Sequence, residues 1–287
     1  MKEFKNFHPL VNFIYFLFVI GFLMIYMNPL CLMISFSCAL FHLFYIKKGV
    51  VKSIFTFMLP AALIPALINT LFNHRGMTIL CYFPSGNPLT FESIIYGFVA
   101  ALMLISAINW FTAFNEIMTS DKIHYLFGRL SPTLALIFSM TLRFVPLFIS
   151  KLKEVIKYQK AFGKSIYEGN LIKRMKNALS AFSLVTTYAL ENSVDTADSM
   201  KGRGYGLTKR TGYTIFKLSK RDIFSLTVIL ILSGIIISGA ILGVLDYYYF
   251  PTPQKIPFSP FAVLVYSSYF LLCIYPIFYG GKKKWSL

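Results

Sequence analysis

Long apolar stretches recur along this 287-residue chain, and they constrain its fold more than any other feature. An α-helix needs roughly 20 mostly apolar residues to cross the hydrocarbon core of a bilayer. Only 14% of the residues are charged, whereas soluble domains average about 25%. The sequence therefore predicts an all-α integral membrane protein with about six transmembrane helices. The six stretches that carry this prediction are 10–27, 30–46, 54–72, 91–113, 223–245 and 261–279.

Basic residues predict the orientation of these helices, because short cytoplasmic loops are enriched in Lys and Arg. Basic segments follow the second stretch ("YIKKGVVKS"), precede the fifth ("KRTGYTIFKLSKRD") and form the tail ("GGKKKWSL"). We therefore expect a multi-pass protein of the cell membrane with both termini in the cytoplasm. The net charge of +17 follows from this orientation. We expect contact with anionic lipid and no nucleic-acid partner, since no soluble domain presents a basic face.

The region between the fourth and fifth stretches, residues 115–222, has a different character. Its segment "SPTLALIFSMTLRFVPLFISKLKEV" is apolar, but Arg143 and Pro146 lie in the middle. A charge at the bilayer centre costs about 2.5–3.5 kcal/mol, so we expect this helix to lie along the inner membrane surface. Pro146 should kink it. The predicted segments are thus membrane helices 1–114, an interfacial or cytoplasmic region 115–222 and membrane helices 223–287.

A second amphipathic helix is predicted later in this region. Acidic residues follow one side of it at helical spacing: Glu191, Asp195 and Asp198. Apolar residues share another side: Leu179, Phe182, Leu190, Ala197 and Met200. The acidic stripe is either a solvated face or a partner for a basic helix around Arg143 or Lys151.

The chain lacks the usual patterns for cofactor or metal binding. Gly163-Lys164-Ser165 imitates the end of a phosphate-binding loop, but Tyr158 stands where that loop requires glycine. The four cysteines have no CxxC spacing, and the four histidines are scattered. We therefore expect no bound ATP, metal or other cofactor on this chain, and no enzymatic activity by the chain alone.

The end of the second amphipathic helix has an unusual composition for so apolar a protein. Gly202 and Gly204 flank Arg203, and more basic residues follow. One interpretation is a glycine C-cap with a cation near the negative end of the helix dipole. The other is a docking site, because the glycines allow close approach of a partner backbone and the guanidinium donates several hydrogen bonds. Both interpretations can hold together.

The order of these features resembles the transmembrane coupling subunit, or T component, of energy-coupling factor transporters, the family that includes cobalt-transporter Q proteins. The most specific parts are "LRFVP" (142–146) and "DSMKGRGYG" (198–206). In that family, two cytoplasmic coupling helices end in Ala-Arg-Gly motifs that dock into two ATPase subunits. The resemblance implies that the chain transmits ATP-driven movement to a separate substrate-binding membrane subunit, the S component, for vitamin or metal-ion uptake.

The family's two docking motifs map onto this chain unequally. The second falls on Gly202-Arg203-Gly204, with Gly202 in place of the usual alanine. The first falls on Ala161-Phe162-Gly163, where Phe162 replaces the arginine. Nearby Lys160 or Lys164 could supply the missing charge.

Two other classes of function remain open from sequence. A membrane enzyme acting on lipid or isoprenoid would use the few acidic and histidine residues near the inner surface: Asp121, His124, Glu191, Asp195 and Asp198. A self-contained carrier would place ionisable residues within its spans, and the predicted spans contain almost none.

Overall fold

The computed structural model describes residues 4–46, 58–82, 87–130, 132–207, 216–254 and 259–278. Within these ranges the chain forms helices and one two-stranded sheet. In chain order the helices are α1 (Pro9–Ile25), α2 (Pro29–Ile46), α3 (Leu59–Phe72), α4 (Phe91–Ile117), α5 (Ser120–Leu130), α6 (Pro132–Ala161), α7 (Leu171–Gly202), α8 (Lys220–Ile241) and α9 (Pro260–Phe278). The strands are β1 (Ile79–Tyr82) and β2 (Pro88–Thr90).

The predicted all-α membrane fold is confirmed. Three helices are long and apolar enough to cross a membrane: Phe91–Ile117, Lys220–Ile241 and Pro260–Ile277. Three shorter apolar helices match the other predicted stretches: Pro9–Ile25, Pro29–Phe44 and Pro60–Phe72. Among the described residues, the helix that contains Arg143 does not meet the same criteria. The number of membrane crossings stays a prediction.

The chain divides into two compact units. One contains residues 1–122 and 216–287, and the other contains residues 123–215. The predicted segments 1–114 and 223–287 thus fall in the same unit. Basic residues within 47–57, 208–215 and 279–287, which support the predicted orientation, lie outside the described residues.

The first unit is organised around α4, which packs against α1, α2 and α3, while α9 packs against α2 and α8. Trp110 of α4 is fully buried in this core. Its indole N–H donates a hydrogen bond to Ser35 Oγ at 2.9 Å, and its ring lies 5.0 Å from that of His42. Trp110 also makes edge contacts with Tyr15 and Phe16 of α1. One side chain therefore joins three helices.

A short β-hairpin precedes α4, and no pattern in the sequence predicts it. Ile79 pairs with Thr90 and Cys81 with Leu89. The buried carboxylate of Glu92 accepts hydrogen bonds from the Thr78 backbone N–H at 3.2 Å and the Thr78 hydroxyl at 2.7 Å. The hairpin is thus stabilised by contacts beyond its own strands, which a periodicity argument cannot detect.

The four cysteines are free thiols. Cys31, Cys38 and Cys273 are buried among apolar side chains, whereas Cys81 is exposed on β1.

Close packing of α3 against α4 depends on Gly97. A Cβ atom at this position would lie 2.8 Å from the Ala66 carbonyl oxygen and 3.1 Å from Thr70 Oγ1. Small residues permit such close helix contacts in membranes.

We expect Gly97→Ala to destabilise the fold by about 1–3 kcal/mol, lowering the midpoint of thermal unfolding in detergent. Gly234→Ala is the control, because a Cβ there meets nothing within 4 Å. Equal unfolding midpoints for the two variants would contradict this packing.

Candidate functional site

The second unit contains a hairpin of two long helices, α6 and α7. Gln159, near the end of α6, donates to Ser180 Oγ at 3.3 Å. Further along the pair, the ammonium of Lys151 lies 5.5 Å from the ring of Tyr188. Lys151 precedes Gln159 on α6, whereas its partner on α7 follows the partner of Gln159. The two helices are therefore antiparallel. Helix α6 continues through Pro146, although proline has no backbone N–H to donate to a carbonyl of the preceding turn.

The C-terminus of α7 forms a glycine cap at Gly204. The Gly204 N–H donates to the Lys201 carbonyl at 2.9 Å, and the Tyr205 N–H donates to the Met200 carbonyl at 3.0 Å. Gly204 has a φ of +81°, a left-handed conformation that glycine adopts at little cost. This is the Schellman arrangement of a helix end. The C-cap interpretation is therefore correct, and Arg203 occupies the C-cap position.

The C-terminus of α6 has the same arrangement at Gly163. The Gly163 N–H donates to the Lys160 carbonyl at 3.1 Å, and the Lys164 N–H donates to the Gln159 carbonyl at 2.9 Å. Gly163 has a φ of +70°. Because the hydrogen bonds match those at Gly204, Phe162 occupies the position at this helix end that Arg203 occupies at the other. The sequence mapping of the two segments thus corresponds to equivalent local structures.

The two helix ends present different side chains to solvent. Phe162 is 81% exposed, and Arg203 is also exposed. Arg203 shares a cleft with Arg143 of α6. Arg143 precedes Phe162 by 19 positions, which corresponds to about 28 Å along a helix. The hairpin therefore offers two similar helix ends, well separated, one apolar and one cationic.

A cleft of about 340 Å³ between α6 and α7 contains the predicted residues Arg143 and Asp195 together with Arg203. Asn192, Thr196 and Ser199 add polar groups to its lining. The sequence suggested that Arg143 and the acidic stripe could pair. Within the described residues, no ion pair shorter than 4.0 Å joins Arg143 to Asp195. That Arg203 joins them was not predicted, because it requires the antiparallel packing of two helices.

The other charges near the hairpin lie at its surface. Asp198 lies 4.0 Å from Lys201 on the same helix, and both side chains are largely exposed. Lys151 lies 2.9 Å from Glu154 of its own helix. The Glu154 hydrogen bond raises the pKa of Lys151, and the same bond lowers the pKa of Glu154. Glu191 is exposed. Of the acidic stripe, only Asp195 lines the cleft.

Most of the apolar side predicted for the second amphipathic helix is exposed, whereas Met200 is partly buried at the cleft. Leu179, Phe182 and Leu190 of α7 all present most of their surface to solvent. Exposed apolar surface of this kind marks a protein or membrane contact.

The Gly163-Lys164-Ser165 segment has the wrong setting for phosphate binding. A 30-residue helix precedes Gly163, whereas a phosphate-binding loop follows a strand. The Asn177 amide donates to the Ser165 carbonyl at 2.9 Å, which fixes the turn into α7. The segment is a helix cap and an interhelical turn.

The fold and these helix ends define a class: an all-α membrane protein that carries a helical hairpin with two exposed caps. Three of the curated proteins similar to the chain are called "Energy-coupling factor transporter transmembrane protein EcfT". The Lactobacillus helveticus protein is 29% identical over 155 residues, covering 51% of this chain and 56% of the relative. The Staphylococcus aureus protein is 31% identical over 135 residues, covering 46% and 49%. That of Leuconostoc gelidum is 34% identical over 90 residues, covering 31% and 34%.

These similarities confirm the resemblance to energy-coupling factor T components. The chain spans about half the length of the curated relatives it matches most extensively. No protein-family model matches the sequence.

Proposed function

We propose that this chain is the energy-coupling transmembrane subunit of an ATP-driven importer of the energy-coupling factor type. Its partners are two cytoplasmic ATP-binding subunits and a substrate-binding S component in the cell membrane. The chain itself binds no nucleotide and catalyses no reaction. The cargo is a vitamin or a metal ion, and the S component selects it. Both termini of the chain lie in the cytoplasm.

The observation that carries this proposal is the pair of equivalent helix caps at Gly163 and Gly204. A helix end in a partner's groove is a common mode of recognition. Each cap turns the backbone sharply and leaves one side chain, Phe162 or Arg203, exposed. Two such ends, about 28 Å apart by helix length, suit two ATPase subunits that each bind one end.

The two helices suit the transmission of movement. Both α6 and α7 are continuous over about 30 residues, and rigid secondary-structure elements carry displacement between distant sites. Closure of the ATPase pair would displace both caps. The exposed apolar residues of α7, including Phe182 and Leu190, offer a surface on which the S component can bind and be reoriented.

Purification of the tagged chain from its native membranes tests the proposal. We expect ATPase subunits and an S component to co-purify with it. We also expect reconstituted vesicles to take up substrate only when ATP is supplied to the ATPases. As the control, the chain purified alone should bind no nucleotide at micromolar concentration. Nucleotide binding or substrate accumulation by the isolated chain would contradict the proposal.

A further inference from the structure

A short segment before α1 packs into the core of the first unit. This segment, residues 4–8 ("FKNFH"), is called the N-terminal anchor below. Phe4 and Phe7 within it are both fully buried. Their ring centres lie 5.3 Å apart, and the Phe4 ring lies 5.4 Å from that of Tyr15 in α1. Aromatic contacts of this kind add to the stabilisation from burial, so the anchor is a fixed part of the core.

The N-terminal anchor is bonded to the point where the chain leaves the first unit. Lys122 is the last residue of that unit before the chain enters the second unit. Its side chain is buried, and its ammonium donates a hydrogen bond to the Lys5 carbonyl. The ammonium of Lys5 lies 3.8 Å from the carboxylate of Glu116, near the end of α4. Residue 5 therefore contacts the chain on both sides of the junction between α4 and α5.

The same segment is also bonded to the start of α8, after the chain has returned. The first unit resumes at Phe216. The His8 N–H donates a hydrogen bond to the Asp222 carboxylate at 3.3 Å. The guanidinium of Arg221 lies 4.4 Å from the centre of the Phe7 ring, which is a cation–π contact. Five consecutive residues thus hold the chain just before it enters the second unit and soon after it comes back.

The stability of the fold does not by itself explain the buried ammonium of Lys122. Burial and the nearby ammonium of Lys5 lower the pKa of Lys122 to about 8, so this environment disfavours the charged form. Burial of a charge costs free energy, and an apolar side chain of similar size would avoid that cost. The charged hydrogen bond to the anchor therefore suits a positioning role.

We propose that the N-terminal anchor positions the α6–α7 hairpin during transport, and that Lys122 and Asp222 are the positioning residues. The inference rests on the proposed function and adds a step to it. Closure of the ATPase pair displaces the second unit, which is joined to the first by two passages of chain. Free passages would absorb this displacement, as hinge residues do. Because the anchor holds both, the displacement passes to α4 and α8.

Substrate uptake per ATP hydrolysed tests the inference in the complete complex, with ATPases and S component, reconstituted in vesicles. Lys122→Met removes the ammonium and keeps an unbranched apolar side chain. We expect the ATPases to co-purify and hydrolyse ATP as in wild type, and the unfolding midpoint in detergent not to fall. Uptake per ATP should fall roughly 10-fold, the factor for loss of a hydrogen bond to a charged group. Lys122→Arg keeps a donor and should restore it.

Two controls separate the anchor contacts from other effects. Lys220→Met makes the same substitution at an exposed lysine of α8 and should leave uptake per ATP unchanged. Asp222→Ala and Ser219→Ala both weaken the capping box of α8. Only Asp222→Ala also removes the acceptor of the His8 N–H, so only this variant should lower uptake per ATP.

The outcomes distinguish this inference from the proposed function. Normal uptake per ATP for Lys122→Met would overturn the inference, and so would an equal loss for Lys220→Met. A lower unfolding midpoint of Lys122→Met with parallel loss of the ATPases would make the anchor a purely structural element, which also overturns it. In all three cases the proposed function stands. If no ATPase co-purified with the wild-type chain, the proposed function and the inference would both fail.

Discussion

Replacement of Arg203 by glutamate is expected to leave the protein inserted and folded while removing an ATPase subunit and substrate uptake together. Hydrogen bonds of Gly204 and Tyr205 N–H groups cap α7, so the Arg203 side chain is not required for the helix to end. If α7 docks an ATPase subunit as proposed, the guanidinium loses water and pairs with the partner on docking. Truncation of such a pair costs about 2–5 kcal/mol, or roughly a 30-fold to several-thousand-fold loss of affinity, and charge reversal should cost more.

A purely structural role for Arg203 predicts a much smaller effect. A cation near an exposed helix C-terminus contributes only about 0.3–1 kcal/mol. Pull-down of the ATPases and substrate uptake are measured for Arg203→Glu at matched membrane levels. Lys164→Glu is the comparison. It tests whether the lysine that follows Gly163 supplies the positive charge that Phe162 lacks at the end of α6. If Arg203→Glu retains normal pull-down and uptake, the glycine cap merely ends a helix and α7 has no docking role.

Replacement of Trp110 by alanine is expected to destabilise the fold of the membrane unit, whereas Arg203→Glu should leave that fold intact. The indole is fully buried, contacts α1 and α2, and donates to Ser35. Removal of so large a buried side chain typically costs about 3–5 kcal/mol. It also leaves the buried Ser35 hydroxyl without this donor. We expect poor expression and a lower midpoint of thermal unfolding in detergent.

Two further variants define the cause of that effect. Trp110→Phe keeps most of the aromatic volume but loses the hydrogen bond, so its unfolding midpoint should lie between those of wild type and Trp110→Ala. Phe98 lies on the same helix and is 65% exposed, so Phe98→Ala should unfold close to wild type. A normal unfolding midpoint for Trp110→Ala would mean that this aromatic cluster does not organise the membrane unit.

Features of this protein that depend on neighbouring residues can be predicted from its sequence. The apolar stretches predict the positions of six helices, because the need to satisfy backbone hydrogen bonds in lipid leaves few alternatives to a helix. Helix boundaries shifted by a few residues where local capping intervenes. Helix α8 begins at Lys220, three residues before the predicted start, because Ser219 and Asp222 form a reciprocal capping box. The β-hairpin before α4 was missed, since Glu92 stabilises it through Thr78.

The sequence alone determined that the chain is a helical membrane protein, that glycines follow Phe162 and Arg203, and that the order of these features resembles a T component. These properties depend on composition and on residues a few positions apart. Only the tertiary structure decided that α6 and α7 pack antiparallel, that both caps have the same hydrogen bonds, and that Arg143, Asp195 and Arg203 share one cleft. The physical reason is that side chains distant in sequence meet only when packing fixes the register between two helices, and no local pattern specifies that register.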